Sequence, residues 1–297
     1  MFDDATSIQR LNNFFVKLKA VNVGTVTSFE RNNCTFQRAF PALGVAGMAF
    51  PSLLPAVIID ACHMKTKQGG IIFAATGVTG DKKNFPLAIA IGPTENEDNW
   101  LWFLDQLKKA ILHINSRNVV ITSDRDKGSK AALKQAVPMA TTCICREHLK
   151  RNVEAKFNIG SFRDVIRAAA KACTIEEYEC HMAIIRNTKD IGEEVFQYLD
   201  MCKEEWVNAF VPVPRYDILT SNSAESMNST LEKLRDGGYL RIFTKFTKRC
   251  AKFLYERHVY YSSLDADLPV SVQEKWSRVQ KQGKTRRWFK QVLISLS

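Results

Sequence analysis

The sequence has no internal repeat and no low-complexity tract, so neither a solenoid nor a repetitive linker organises it. It opens on Met1-Phe2-Asp3-Asp4, which has neither the basic start nor the apolar stretch of a secretory leader, and none is expected. The eight cysteines follow no regular spacing and several stand inside apolar runs, as expected of reduced thiols in an intracellular protein rather than of a disulfide framework. The uncharged run from Phe40 to Ile59 is long enough to raise a membrane span. Pro41, Pro51 and Pro55 with Gly44 and Gly47 interrupt any continuous helix there, so no transmembrane segment is expected.

What is present is an ordinary globular composition over 297 residues, enough for one large domain or two smaller ones. The formal charge of +11 is unevenly spread. From Asp236 to Ser297 there are 13 Lys and Arg against 5 Asp and Glu, whereas Ser161 to Arg215 holds 7 against 10. A basic final fifth suggests a polyanion partner, nucleic acid ahead of acidic lipid, with a solvated basic tail as the alternative.

The chain is organised around Pro55 to Lys65, where a short β-branched apolar run reads as a buried strand with Asp60 at its tip. Upstream, Ile8 to Leu18 predicts a helix and Thr25 to Thr27 a short strand. Downstream, Ile71 to Val78 and Pro86 to Ile91 flank a turn at Gly80 to Asn84 and complete a meander. Thr94 with Glu97 reads as a capping box for a helix carrying Trp100, Phe103, Leu104, Leu107 and Ile111 at helical spacing. Asn118 to Asp124 is a second apolar run ending in an acid, followed by a helix over Lys127 to Val137 and a strand over Thr141 to Cys145. The order β-β-β-α-β-α-β is that of a ribonuclease-H-like sheet, in which the first and fourth strands are neighbours. Asp60 and Asp124 would then end within reach of one metal ion. His148 to Phe210 reads as helical, Asn222 to Arg235 as a further helix opened near Glu225, and Leu240 to Tyr261 as a long mixed basic and apolar helix. Paired carboxylates suit Mg²⁺, a hard cation that takes oxygen ligands and serves in phosphodiester cleavage and transfer. Asp124 and Glu225 also have simpler readings, as a helix cap and as the third-position partner of Asn222.

Five blocks carry a resemblance: Ile58-Ile59-Asp60-Ala61-Cys62-His63-Met64-Lys65; Phe85 to Ala90 with Glu95 to Leu104; Ile121-Thr122-Ser123-Asp124-Arg125-Asp126-Lys127-Gly128; Cys145-Arg146-Glu147-His148-Leu149-Lys150-Arg151-Asn152; and Ser221-Asn222-Ser223-Ala224-Glu225-Ser226-Met227-Asn228. In this order they resemble the transposase domain of Mutator-like elements. The resemblance implies an α/β, ribonuclease-H-like (retroviral-integrase-like) mixed sheet with an all-α insertion before the last catalytic residue. It implies a DDE transposase with the triad Asp60, Asp124 and Glu225 holding Mg²⁺ or Mn²⁺, acting on the DNA of element ends and target as a homo-oligomer, in the nucleus. Cys145 and His148 match the family's Cys/His signature. Their spacing also suits Zn²⁺, though no second pair stands at a fixed spacing. Ala61 stands where a Gly often follows the first Asp, and the zinc modules usual at both ends of full-length members are not visible.

The expected organisation is a lead-in over 1–50 packing on the core, a catalytic core over 51–158 and a helical insertion over 159–218. C-terminal core helices with Glu225 follow over 219–262, then a basic tail over 263–297. Lys245, Lys248, Arg249 and Lys252, with Lys284, Arg286, Arg287 and Lys290, are expected to contact phosphates. A transposase-derived protein that binds DNA without catalysis is the alternative.

Overall fold

The computed structural model describes residues 5–32, 35–65, 69–124, 126–158, 160, 162–216 and 238–262. Its centre is a seven-stranded mixed sheet. The strands in chain order are β1 (Val26–Asn32), β2 (Thr35–Ala42), β3 (Leu54–His63), β4 (Ile71–Val78), β5 (Asn84–Gly92), β6 (Val120–Ser123) and β7 (Thr141–Ile144), and their spatial order is β1-β2-β5-β4-β3-β6-β7. β3, β4 and β5 form the expected antiparallel meander, and β6 and β7 add in parallel on the β3 side. This arrangement is compatible with a ribonuclease-H-like fold. All eight residues of β4 are buried, as a central strand covered on both faces requires.

Side chains alternate along β3, so Val57 and Ile59 enter one core while Ala56 and Ile58 enter the other. The first core is closed by α3 (Glu97–Ala110) and α4 (Lys127–Ala136), with Phe40, Phe73, Trp100 and Phe103 packed edge to face or stacked. The second is closed by α1 (Ala5–Val21) and by a long C-terminal helix over Tyr239–Ser262, joined where the rings of Phe15 and Phe243 meet at 5.1 Å.

The N-terminal region differs from expectation. Two strands follow α1, pair with each other and extend the sheet at the β5 edge through Ala39 and Ile91. Arg38 and Pro41 hide β2 in the sequence, yet Arg38 is held at the margin by Glu30 at 2.8 Å and Asp98 at 2.9 Å, its guanidinium over the Trp102 ring. The short helix α2 (Gly44–Ala49) then leads to β3. A Cβ on Gly44 would lie 1.8 Å from the Val23 carbonyl oxygen, so only glycine lets the chain pass there.

After β7 come α5 (Arg146–Phe157), α6 (Arg163–Lys171), α7 (Ile175–Arg186), α8 (Gly192–Asp200) and α9 (Lys203–Trp206). They share a core of their own that includes Leu149, Ile166, Met182, Leu199 and Trp206. We label the helix over Tyr239–Ser262 α10. The expected helix over Asn222 to Arg235, with Glu225, lies outside the described residues, as do Lys284, Arg286, Arg287 and Lys290. No helix among the described residues is long and apolar enough to cross a membrane.

Candidate active site

β4 runs against both β3 and β5, and β6 and β7 run with β3, so the carboxyl ends of β3, β5, β6 and β7 all lie at one edge of the sheet. That edge is where ligands bind in open α/β sheets. The β3–β6 pairing ends at Ile58↔Thr122, and Asp60 and Asp124 each stand two residues beyond it. They are therefore level on adjacent strands. β3 does not end at Asp60, as the apolar run suggested, but continues to His63 because β4 keeps pairing with it. What ends nearby is β6, at Ser123, so the β3–β6 pairing stops short of Asp60.

Asp60 is only 8% exposed, and one of its oxygens accepts the Ala61 N–H at 2.9 Å. Its carboxyl is pushed up to about 6, first by burial, then by Asp124 and Glu95, against the attraction of His148 and the Ala61 bond. Asp124 Oδ1 accepts from the Asp126 N–H at 3.2 Å and from Ser129 Oγ at 3.3 Å. Capping of α4 falls to Asp126, whose Oδ1 accepts the N–H groups of Gly128 at 2.8 Å and Ser129 at 3.0 Å. Asp124 is thus released from the cap role that its position suggested. Replacing Asp126 by Ala is expected to cost about 1 kcal/mol in a urea melt, the usual value of an N-cap.

The Cys-x-x-His spacing has a local meaning at this edge. The Cys145 N–H donates to the Ser123 carbonyl at 2.6 Å, which sets the start of α5 next to Asp124. Cys145 stands at the N-cap and the N–H groups of Glu147 and His148 face its sulfur, although no hydrogen bond of capping geometry closes. Burial pushes its thiol up, with those N–H groups pulling the other way. His148, three positions into the helix, lies close enough to Asp60 and Glu95 to favour the ionised form of both. Its Nδ1 is buried and has no hydrogen-bond partner among the described residues.

Glu95, in the turn from β5 to α3, was not singled out as a site residue by its spacing. Burial raises its carboxyl, as do Asp124 and Asp126, while Trp100 and His148 lower it. Among the described residues no three His, Cys, Asp or Glu side chains are placed to hold one ion together. Asp60 and Asp124 nonetheless fit a hard divalent cation in kind, as adjacent carboxylates on a shielded edge whose mutual repulsion such an ion would relieve. On α10, Lys248, Arg249 and Lys252 are exposed and Lys245 is half-buried, while Ile242, Phe243, Phe246 and Cys250 face the core.

Residues 56–152 match the family model of the MULE transposase domain. Over 127 residues the chain is 26% identical to the transposase for insertion sequence element IS905 of Lactococcus lactis subsp. lactis (strain IL1403), a match that covers 41% of this chain and 29% of that protein. The matched stretch is thus under a third of the relative's length. The matched region holds β3 to β7 with Asp60 and Asp124 level at their shared edge, so the part of the chain that is similar to the MULE transposase domain is the part that carries both acids.

Proposed function

We propose that the chain is the catalytic region of a DNA transposase that cuts and rejoins DNA strands, with Asp60, Asp124 and Glu225 as its acid triad and Mg²⁺ or Mn²⁺ as cofactor. The observation that carries the reading is the level placement of Asp60 and Asp124 beyond Ile58↔Thr122 at the carboxyl edge of the parallel strands. A bound divalent ion supplies an activated water or hydroxyl and stabilises the leaving oxygen. The chain's own contribution is to hold two carboxylates on a rigid sheet, to orient Asp124 through Ser129 and the Asp126 N–H, and to keep His148 beside Asp60. Asp60 belongs by alternation to the face of the sheet that α1 and α10 cover, and the exposed Lys248, Arg249 and Lys252 on α10 offer DNA phosphates a basic surface apart from the acids.

Calorimetric titration with Mn²⁺ tests this directly. Wild type is expected to bind, and Asp60→Asn and Asp124→Asn are expected to lose binding with their circular dichroism unchanged. Variants that bind like wild type would end the catalytic reading.

A second reading, a transposase-derived protein that binds DNA without cutting it, draws on the basic face of α10, which does not depend on the acids. It predicts salt-sensitive duplex binding that survives Asp60→Ala and fails in a Lys248→Ala, Arg249→Ala, Lys252→Ala triple variant, with no cleavage under any metal.

A further inference from the structure

We propose that the edge of the sheet opposite the acids is a docking surface for a second copy of this chain, which it meets through the outward face of α7. The inference stands apart from the metal-dependent reading and needs no DNA.

Topology builds the surface. β1, β3, β5, β6 and β7 all begin at the far end of the sheet from Asp60 and Asp124, and α1, α3 and α4 come to their ends there. Close backbone approaches draw these ends together through α2. A Cβ on Gly44 would lie 1.8 Å from the Val23 carbonyl oxygen and one on Gly47 2.5 Å from the Ala110 carbonyl oxygen, while the Met139 N–H donates to Asn115 Oδ1 at 2.9 Å. The end of α1, the helix α2, the end of α3 and the turn after α4 thus form one continuous surface.

Its chemistry is unusual for a face turned to water. Val21, Val23, Met48, Leu112 and Met139 are all exposed on it, Val23 by 90% and Leu112 by 82%. Single exposed apolar side chains are ordinary, but five on one surface mark an interface. Around them the segments 17–25, 42–54, 106–119 and 133–141 hold six Lys and Arg and no Asp or Glu. Lys19, Lys109 and Lys134 stand in the last turns of α1, α3 and α4. A helix end carries only about half a unit of negative charge, so a positive surplus is left, to which the exposed Arg117 adds. Asp81, in the turn between β4 and β5, is buried against Arg257 at 2.9 Å and does not offset it.

The complement lies on the chain itself. α7 buries Tyr178, Met182 and Ile185 in the helical core, so its opposite face turns outward with Glu176, Glu179, Ala183 and Ile184 exposed. That face is acidic at its start and apolar towards its end. Apolar side chains ringed by lysine then meet apolar side chains flanked by glutamate, and the contact removes hydrocarbon from water while pairing opposite charges. Phosphates would satisfy the lysines and leave the apolar centre in water, which favours a protein partner over nucleic acid. Because two different faces are used, the contact is heterologous and repeats head to tail.

The test is sedimentation velocity of the full chain without DNA, from dilute solution up to about 100 μM, where even weak specific contacts are populated. Wild type is expected to gain mass with concentration, to pass beyond the dimer, and to associate less in high salt. Leu112→Glu and Ile184→Lys, at exposed positions, are expected to keep the wild-type melting temperature and to weaken association at least about 10-fold each. Met48→Glu repeats the edge test on α2 should Leu112→Glu melt early. Mixed in equal amounts, Leu112→Glu and Ile184→Lys have one intact edge and one intact α7 between them and should form dimers and nothing larger. A wild type that stays monomeric at every concentration would overturn the proposal, and loss of duplex binding in Lys109→Glu would then assign the edge to nucleic acid. Association lost in Leu112→Glu but kept in Ile184→Lys would overturn it as well, because the edge would then pair with itself.

Discussion

Asp60→Asn is expected to make the metal-free protein more stable at pH 7, by up to about 3 kcal/mol. The carboxyl is raised from an ordinary 3.8 to about 6 in the fold, chiefly because it is buried, so the folded state prefers it protonated. Below pH 4 the side chain is protonated folded or unfolded and contributes nothing. As pH rises from 4 to 6 the unfolded chain releases the proton first, and stability falls across that window. Above pH 6 the full penalty remains, and it is this penalty that the neutral amide removes. Asn Oδ1 can still accept the Ala61 N–H that Asp60 accepts at 2.9 Å, so the substitution needs no new geometry.

The expected signature is a pair of thermal melts in EDTA that coincide at pH 4 and separate by several degrees at pH 7, the variant higher. Saturating Mn²⁺ should reverse the order, because only the carboxylate gains from the ion. A variant that melts at or below wild type in EDTA at pH 7 would show that Asp60 is not a strained, functional acid. Stability surrendered at one residue in return for chemistry is the pattern expected of an active site.

The parts of this fold that were legible in the sequence are those decided by local periodicity. The apolar runs at Ile71 to Val78 and Asn118 to Asp124 became β4 and β6, and the helical spacing of Trp100, Phe103, Leu104 and Leu107 became the buried face of α3. The neighbouring of β3 and β6 followed from element order alone. β2 was not legible, because Arg38 and Pro41 break its alternation and the ion pairs that excuse Arg38 come from Glu30 on another strand and Asp98 on α3. The cap of α3 lies two residues later than the Thr94 box suggested. Asn96 accepts the Asn99 N–H there, and the Thr94 hydroxyl instead receives the Asn99 side chain.

Glu95 was illegible for a related reason. An acid in a polar turn before a helix has the ordinary look of first-turn chemistry, and what distinguishes it is the packing of the neighbouring Asn96 and Glu97 backbone against Gly128 and the pull of Asp124, Asp126 and His148 on its carboxyl. Both are products of tertiary packing. One signal was available: once β3, β4 and β5 are read as a meander, the turn after β5 must return to the Asp60 edge. The Cys-x-x-His spacing was visible as a motif, but its meaning as N-cap and third helical position depended on where β7 ends.

The largest loss of stability outside the sheet is expected from Arg215→Ala, about 2 to 4 kcal/mol. Arg215 is 5% exposed and donates from Nη1 to the Trp206 carbonyl at 2.5 Å and from Nη2 to the Ile144 carbonyl at 3.4 Å. It thereby ties the end of α9 to the end of β7, one residue before Cys145 and the helix that carries His148 to Asp60. Truncation leaves two buried carbonyls without a donor and a void next to Trp206, itself fully buried. Arg215→Lys should recover only part of the loss, because one ammonium on a flexible stem does not reproduce a planar fork between two acceptors. The effect is moderated by relief of repulsion from Arg146, 2% exposed nearby, whose Nε and Nη1 have no partner among the described residues and whose Nη2 meets Glu147 at 3.3 Å. Hydrogen exchange separates the contributions. In Arg215→Ala the amides of α6 to α9 should exchange faster by a factor matching the stability loss, while those of β4 hold their protection, because the two regions have separate cores. Equal acceleration in β4 would mean that helices and sheet unfold as one unit and that Arg215 does not act as the tie between them.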